Sequence, residues 1–414
     1  MIQTLRGTKD IYGAEIYYWQ HLEQVAREIL QRRSYVEIRT PILEVTELFA
    51  RGIGETTDIV NKEMYTFLTK GEESVTLRPE GTAGVVRAYI QNKLHGGVQR
   101  LWYMGPMFRY ERPQKGRQRQ FHQLGVELLG SSDPRADAEV IALAYTILQT
   151  LGLKELVVSL NSVGDSTDRA LYRQALVDYF NPYRADLDAD SQQRLDRNPL
   201  RILDSKDPKT QAICQSAPSI LDYLQGESRR RFERVQFLLT ELGVEYTLDP
   251  RLVRGLDYYT HTAFEIQSQD LGAQSAVCGG GRYDRLVGEL GGPETPAVGW
   301  AMGLERLILL LESRQTLTPP APDFYIVSRG EKAEAYALVV WQKLCQAAVR
   351  VELDLTGAKF DKQLKRADQS GAKAAIILGD SEAENQTLQV KWLQDGRQEA
   401  MTIEALLNSC LTRG

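Results

Sequence analysis

The segment from Phe108 to Glu127, FRYERPQKGRQRQFHQLGVE, contains the side chains best suited to chemistry. Its pattern predicts two strands joined by a hairpin loop. Side chains alternate along a strand, so the return strand has two faces. The polar face carries Phe121, Gln123, Gly125 and Glu127, and the apolar face carries His122, Leu124, Val126 and Leu128. Because a buried glutamine or glutamate without a partner costs about 1–3 kcal/mol, the polar face indicates a ligand.

The hairpin loop is strongly basic. It contains Arg112, Lys115, Arg117 and Arg119, and Arg109 and Glu111 come just before it. This local positive charge favours a phosphate-bearing partner. For a lone basic loop, an ordinary surface hairpin with solvated charges is the more common explanation.

Three other segments carry candidate ligand residues. TLRPEGT places Glu80 at a turn that enters a helix, where capping is the more common role of a single glutamate. The strand-like segment from Leu252 to Ile266 contains Arg254, which also fits a surface arginine at a turn. GGGRYD, at 279–284, lacks the GKS or GKT ending of a P-loop. Its glycines are expected to let the backbone approach a ligand beside Tyr283.

The segment from Pro296 to Glu312, PAVGWAMGLERLILLLE, is predicted to be one helix. At about 100° per residue, Gly299, Gly303 and Arg306 fall on one stripe of it. Glycine inside a helix costs roughly 0.5–1 kcal/mol relative to alanine, so two glycines on one face need a reason. Tight helix packing and close approach of a ligand both satisfy that requirement.

Composition excludes several classes of protein. The 414 residues suggest about two to four domains, and 43% hydrophobic with 25% charged residues is typical of a soluble globular protein. A net charge of −5 argues against a non-specific nucleic-acid binder. The four cysteines form no CxxC pair, so neither a zinc site nor a disulfide framework is predicted. Since no apolar run has the length of a signal or membrane span, we expect a cytosolic protein without membrane contact.

The remaining elements position these candidates. A helix is predicted from Ala14 to Arg33, followed by the run VEIRTPILE, in which Pro41 favours a sheet edge. Another helix is predicted from Asp137 to Leu151, and residues 165–226 are predicted to be helical. A proline-rich linker spans 314–322, and alternating strands and helices after it predict a separate α/β domain.

Together these segments resemble the class II aminoacyl-tRNA synthetases. The segment with Pro41 is similar to motif 1, Phe108–Glu127 to motif 2 and 296–312 to motif 3. RGLDYYT and GGGRYD together resemble the signature segments of the histidyl-tRNA synthetase family. The resemblance implies an α+β fold: an antiparallel sheet flanked by helices (residues 1–164 and 227–318), a helical insertion (165–226) and a C-terminal α/β anticodon-binding domain (323–414).

The resemblance also implies an activity and a set of site residues. The expected reaction activates histidine with ATP and Mg²⁺ and transfers it to tRNA-His, and a homodimer is expected; no metal ligand in the chain is assigned. The implied catalytic residues are Arg109 and Arg254. The implied histidine-binding residues are Glu80, Gly81, Thr82, Gln123, Glu127, Tyr258, Tyr259 and Tyr283. The implied ATP-binding residues are Arg109, Arg117, Phe121, Gly303 and Arg306, and Gln114 is a candidate tRNA contact.

Two other functions are compatible with parts of the sequence. Inert relatives of this family serve as regulatory subunits of ATP phosphoribosyltransferase, but they typically lack the C-terminal domain and degrade the signature segments, and this chain does neither. A generic RNA-binding module is disfavoured by the acidic net charge and by the polar face around Glu127.

Overall fold

The computed structural model describes residues 1–54, 57, 59–114, 116–203, 205–252, 258–268, 276–314 and 316–411. The chain divides into two compact units, Met1–Leu317 and Thr318–Gly414. No helix in the described ranges is long and apolar enough to cross a bilayer. Each unit has its own hydrophobic core.

The first unit is built on an eight-stranded sheet. Its strands are β1 (Val36–Glu37), β5 (Gln99–Phe108), β6 (Gln120–Leu129), β7 (Leu156–Ser162), β8 (Tyr246–Leu248), β9 (Thr260–Ser268), β10 (Ala276–Arg282) and β11 (Ala297–Gly303). Their order is β1-β5-β6-β11-β10-β9-β7-β8. Only the outermost pairs, β1 with β5 and β7 with β8, are parallel. The predicted antiparallel sheet is therefore confirmed.

The described part of this unit also contains a smaller antiparallel sheet and eleven α-helices. The sheet has the order β2-β4-β3, with β2 at Leu43–Val45, β3 at Tyr65–Leu68 and β4 at Ser74–Leu77. The helices are α1 (Glu15–Arg32), α2 (Thr46–Ile53), α3 (Thr82–Gln91), α4 (Pro134–Thr150), α5 (Ser166–Phe180), α6 (Ala189–Arg197), α7 (Pro208–Cys214), α8 (Ile220–Tyr223), α9 (Gly226–Glu241), α10 (Leu286–Glu289) and α11 (Leu304–Arg314).

One large hydrophobic cluster of this unit lies under one face of the large sheet. The α1 stripe of Trp19, Leu22, Ala26 and Leu30 is buried there, as its helical spacing predicts. Leu124 and Val126 of β6 belong to the same cluster. The opposite face of β6 carries the polar side chains Gln123 and Glu127 beside a second hydrophobic cluster, to which Leu129 belongs.

The segment from 165 to 226 is helical, as its pattern predicts. It contains α5 to α8 and a small core of its own, which includes Tyr172, Leu176 and Phe180. Asp165 is the N-cap of α5, and its carboxylate accepts from the N–H groups of Thr167 and Asp168. The Asp168 carboxylate accepts in return from the Asp165 N–H, which makes a reciprocal capping box. The segment belongs to the first compact unit, and its boundaries as an insertion remain a prediction.

The prediction of one helix from Pro296 to Glu312 is wrong. The first part forms β11 and only Leu304–Arg314 forms α11. In β11, Val298, Trp300 and Met302 are buried and alternate with glycine and alanine. This period of two is a strand pattern, and β11 is paired on both edges, with β6 and β10. Gly299 and Gly303 still share one face, but they do so as alternate residues of a strand.

The second unit is an α/β domain with one mixed sheet. Its strands are β12 (Phe324–Ser328), β13 (Val351–Leu353), β14 (Ala374–Leu378), β15 (Leu388–Trp392) and β16 (Gln398–Met401), in the order β13-β12-β14-β15-β16. Its helices are α12 (Glu331–Gln346), α13 (Phe360–Gln369), α14 (Asp380–Asn385) and α15 (Ile403–Leu411). The sequence pattern predicts the strands and helices up to β15, but α14, β16 and α15 were not predicted.

Candidate active site

The site residues lie on one face of the central strands. The register places Glu127 of β6 opposite Leu101 of β5 and Gly299 of β11. Gln123 of the same strand lies opposite Gly303. Because β10 follows β11 in the sheet, the GGGRYD segment adjoins the same surface. Segments far apart in the sequence therefore meet there.

All five residues predicted to bind ATP line one cleft of about 280 Å³. They are Arg109, Arg117, Phe121, Gly303 and Arg306. The cleft is also lined by residues that were not predicted to bind ATP, among them Gln118, Glu265, Cys278 and Glu305.

Three arginines converge on this cleft from different elements. Arg109 Nε donates to the Pro79 carbonyl at 2.8 Å, and its guanidinium lies 5.2 Å from the Phe121 ring centre. Arg117 donates to Glu111 at 3.1 Å. Arg306 donates to the Ala276 carbonyl, and burial followed by the charge of Arg117 lowers its pKa. A cluster of neighbouring cations favours an anionic ligand such as a polyphosphate.

Glu127 is the centre of a second, buried group of polar side chains. One carboxylate oxygen accepts from the Thr82 hydroxyl at 2.7 Å, and the other accepts from the Tyr283 hydroxyl. Burial raises the pKa of Glu127 to about 8, although these two hydrogen bonds act in the opposite direction. A ligand N–H that faced this carboxyl group would favour its ionised form.

Tyrosine rings surround this group. The rings of Tyr258 and Tyr259 lie 4.7 Å apart, and those of Tyr258 and Tyr283 lie 5.6 Å apart. Within the described residues, the Tyr103 hydroxyl and the Gln123 side-chain oxygen are buried without a hydrogen-bond partner. Since such atoms cost free energy, both indicate a polar ligand.

Glu80 has the capping role that its position favours. Its carboxylate accepts from the backbone N–H groups of Thr82 at 2.7 Å and Ala83 at 2.8 Å, at the start of α3. Gly81 is the N-cap residue of that helix. Burial raises the pKa of Glu80 despite these hydrogen bonds. Its contact with a ligand amino group remains a prediction.

Tyr103 is a site residue that the sequence analysis missed. An added Cβ at either Gly81 or Gly125 would lie 2.1 Å from its ring, so both glycines make room for it. Gly299 makes room for Glu127 in the same way, because an added Cβ at Gly299 would lie 2.0 Å from Glu127 Oε2. The available signal was the register, since Tyr103 pairs with Gly125 in a hairpin whose strands the sequence already predicted.

The glycines of GGGRYD differ in their roles. Gly279 lines the cleft, as a ligand-approach residue would. At Gly280, a Cβ would lie 2.2 Å from the Gly299 carbonyl oxygen, and at Gly281 it would lie 2.4 Å from that of Thr262. These two glycines therefore allow close approach of neighbouring strands, and their contact with a ligand remains a prediction.

Gln114 and Arg254 are predicted site residues that are assigned neither to the arginine-lined cleft nor to the buried group around Glu127. Gln114 is exposed, exchanges backbone hydrogen bonds with Arg117 in the hairpin loop, and does not line the cleft. Arg254 lies outside the described residues. Within the described ranges, no three His, Cys, Asp or Glu side chains form a metal-binding group.

Comparison with known proteins adds the family context. The family model for histidyl-tRNA synthetase matches residues 7–307, and that for an anticodon binding domain matches residues 323–413. The histidine–tRNA ligase of Picosynechococcus sp. is 66% identical over 410 residues, covering 99% of this chain and 96% of its own. That of Rippkaea orientalis is 67% identical over 402 residues, covering 97% and 94%.

A solved structure shows the same fold. The apo histidyl-tRNA synthetase of S. aureus is 40% identical to this chain, with a TM-score of 0.83 over 99% of each chain.

Proposed function

This chain belongs to the histidyl-tRNA synthetase family, and we propose that it is a histidine–tRNA ligase. The observation that carries this proposal is the position of two sites on one sheet face. An arginine-lined cleft suits the phosphates of ATP, and the buried group around Glu127 suits a ligand with ring nitrogens.

The proposed reaction has two steps and needs no protein nucleophile. The histidine carboxylate attacks the α-phosphate of ATP, forming histidyl-adenylate and releasing pyrophosphate. A ribose hydroxyl at the tRNA 3′ end then attacks the activated carbonyl, and AMP leaves. Arg109 is well placed to stabilise charge at the α-phosphate, and we assign Arg254 to the same task from the family resemblance.

Mg²⁺ is proposed to enter with ATP. Glu111 and Glu265 line the cleft, and Mg²⁺ is usually held by one or two carboxylates together with substrate phosphates. Bound there, the ion would neutralise negative charge on the pyrophosphate leaving group. The donor set of the cleft is therefore compatible with this metal.

Selection of histidine is assigned to the buried group. Neutral imidazole offers one donor and one acceptor. Glu127 is proposed to accept from one ring nitrogen and Tyr259 to donate to the other, with Gln123, Tyr258 and Tyr283 completing the polar shell. Glu80, Gly81 and Thr82 are proposed to lie around the α-amino group. An amino acid without these ring nitrogens would offer Glu127 no N–H donor and Tyr259 no acceptor, and sites built to hydrogen-bond a substrate group discriminate strongly against analogues that lack it.

Replacing Glu127 with alanine is expected to raise the KM for histidine roughly 10²-fold, because the pocket loses its acceptor. The KM for ATP should stay within about threefold of the wild-type value, because the arginine cleft is intact. Histidine-dependent ATP–pyrophosphate exchange measures both constants. Glu28→Ala, at an exposed site on α1, is the control and should change neither.

The outcomes of this experiment are distinct. Wild-type protein that shows no histidine-dependent exchange would contradict the proposed function. Normal histidine kinetics in Glu127→Ala, alongside an active wild type, would contradict only the assignment of Glu127.

The hairpin loop is proposed to face the acceptor end of tRNA-His. Gln114 supports this proposal because it is exposed in the loop and lies outside the ATP cleft. Its amide can both donate to and accept from a base edge.

Replacing Gln114 with alanine is expected to lower the rate of tRNA charging by about tenfold, the lower range for one lost polar base contact. Adenylate formation should be unchanged, because the cleft keeps its residues. Parallel charging and exchange assays would separate the two steps, and equal losses in both would place Gln114 at the ATP site instead.

A homodimer is proposed from the family resemblance and from exposed apolar residues. Val36 of β1 is 64% exposed, and Leu68 of β3 is 68% exposed. Leu43 and Val45 of β2 and Phe67 of β3 are also large exposed hydrophobics. Apolar groups concentrated on a small sheet are typical of protein interfaces.

Since translation uses the charged tRNA, the cytoplasm is the proposed place of action.

The C-terminal unit is proposed to bind the anticodon, in keeping with its match to the anticodon binding domain model. This match also argues against the regulatory-subunit alternative. The ligases compared above are similar to this chain over nearly its whole length, so that alternative is not favoured.

A further inference from the structure

The start of β6 extends beyond its neighbour β11. The register between these strands runs from the pair Leu129 and Ala297 to the pair Gln123 and Gly303, and there it stops. Beyond this point the chain of β11 turns into α11. Among the described residues, no strand pairs with residues 120–122 of β6 on this edge, so backbone N–H groups that point there need other acceptors.

Two acceptors from elsewhere in the chain satisfy these groups. The Gly7 carbonyl accepts from the N–H groups of Arg119 at 2.7 Å and Gln120 at 3.1 Å. The Glu305 carboxylate accepts from the His122 N–H, with its two oxygens at 2.9 and 3.0 Å. His122 Nδ1 lies 3.0 Å from the same carboxylate. Glu305 is 10% exposed, so water competes little for these hydrogen bonds.

The Glu305 contact joins two walls of the ATP cleft. Glu305 precedes Arg306 on α11, and His122 follows Phe121 on β6. Arg306 and Phe121 both line the cleft. The His122 ring is held in turn by Trp19 of α1, with ring centres 4.9 Å apart.

We propose that Glu305 is a positioning residue, which replaces the missing strand partner at the start of β6 and so sets the distance between Arg306 and Phe121. This inference rests on the proposed function, because it concerns how the cleft fits ATP. Without the carboxylate, α11 and the start of β6 can separate, and Arg306 and Phe121 no longer contact the same ligand.

Replacing Glu305 with alanine is expected to raise the KM for ATP by about tenfold, since small displacements of binding groups have large effects. The KM for histidine should stay within about twofold, because Glu127 and Tyr283 are held by other contacts. Glu305→Gln keeps an oxygen acceptor for the His122 N–H and should restore most of the affinity for ATP. Hydrogen exchange should show faster exchange of the His122 amide in Glu305→Ala than in wild type.

Glu312→Ala, at an exposed site on the same helix, is the matched control and should behave as wild type. Should Glu305→Ala fail to fold, Glu305→Asp keeps the charge but withdraws the carboxylate by one methylene, and should show a smaller change of the same kind. Unchanged ATP kinetics and amide exchange in folded variants would overturn the inference. Wild type that does not bind ATP would instead overturn the proposed function.

Discussion

Replacing Arg109 with alanine is expected to lower the rate of histidyl-adenylate formation by about 10²–10³ at saturating substrates. Arg109 lines the cleft beside Phe121, and its Nε is fixed on the Pro79 carbonyl. A guanidinium held in this way needs no rearrangement as charge develops on the α-phosphate. Its effect should therefore fall on the rate more than on the binding of ATP or histidine.

Single-turnover measurement of adenylate formation before tRNA is added would test this prediction. Arg112→Ala is the matched control, because Arg112 is an exposed arginine of the same loop that does not line the cleft. It should form adenylate at the wild-type rate. If Arg109→Ala also kept that rate, electrostatic stabilisation by this arginine would have to be abandoned.

Alternation along the hairpin strands is the reason that much of this site could be predicted. A period of two separates Gln123 and Glu127 from the core residues Leu124 and Val126, and the register of β5 with β6 preserves that separation. The antiparallel fold class, which the family resemblance implied, is confirmed. The three arginines predicted to bind ATP, Arg109, Arg117 and Arg306, meet at one cleft.

Two features depend on tertiary contacts and were not predicted. A run of small and apolar residues from 296 to 312 fits a helix when considered alone, but pairing with β6 and β10 decides in favour of a strand in its first part. Tyr103 has no local signal of its own. Its role follows from its contact with Gly81 and Gly125, which both lie against its ring only in the folded chain.

A charged group beneath the sheet supports the segment that carries Tyr283. Arg282, which precedes it, is fully buried and donates to Asp137 through Nη2 at 2.6 Å and through Nε at 3.1 and 3.2 Å. It also donates to Asp284 at 2.9 Å, and Arg231 of α9 donates to Asp137 at 3.3 Å. Burial would raise the pKa of Asp137, but the charges of Arg282 and Arg231 outweigh it and lower that pKa. The aspartate is therefore ionised at neutral pH.

Replacing Asp137 with alanine is expected to lower the free energy of unfolding of residues 1–317 by about 3–5 kcal/mol at pH 7, because Arg282 keeps its buried charge without this partner. Asp196→Ala breaks the exposed pair with Arg184 and should lower the free energy of unfolding far less, because water screens this pair. Urea denaturation of the full chain measures both losses. Every variant should also carry Trp341→Phe and Trp392→Phe. The remaining tryptophans, Trp19, Trp102 and Trp300, all lie in the first unit, so tryptophan fluorescence then reports the unfolding of that unit only.

The pH dependence distinguishes this ionic contribution from a simple packing loss. Because the pKa of Asp137 is lower in the folded chain than in the unfolded chain, its ionic contribution is complete above the unfolded value of about 3.9. It is lost as the pH falls through the folded value. The difference between wild type and Asp137→Ala should therefore be constant from pH 6 to pH 8 and shrink below about pH 4. Equal stability losses in Asp137→Ala and Asp196→Ala at pH 7 would show that the buried group does not support the segment that carries Tyr283.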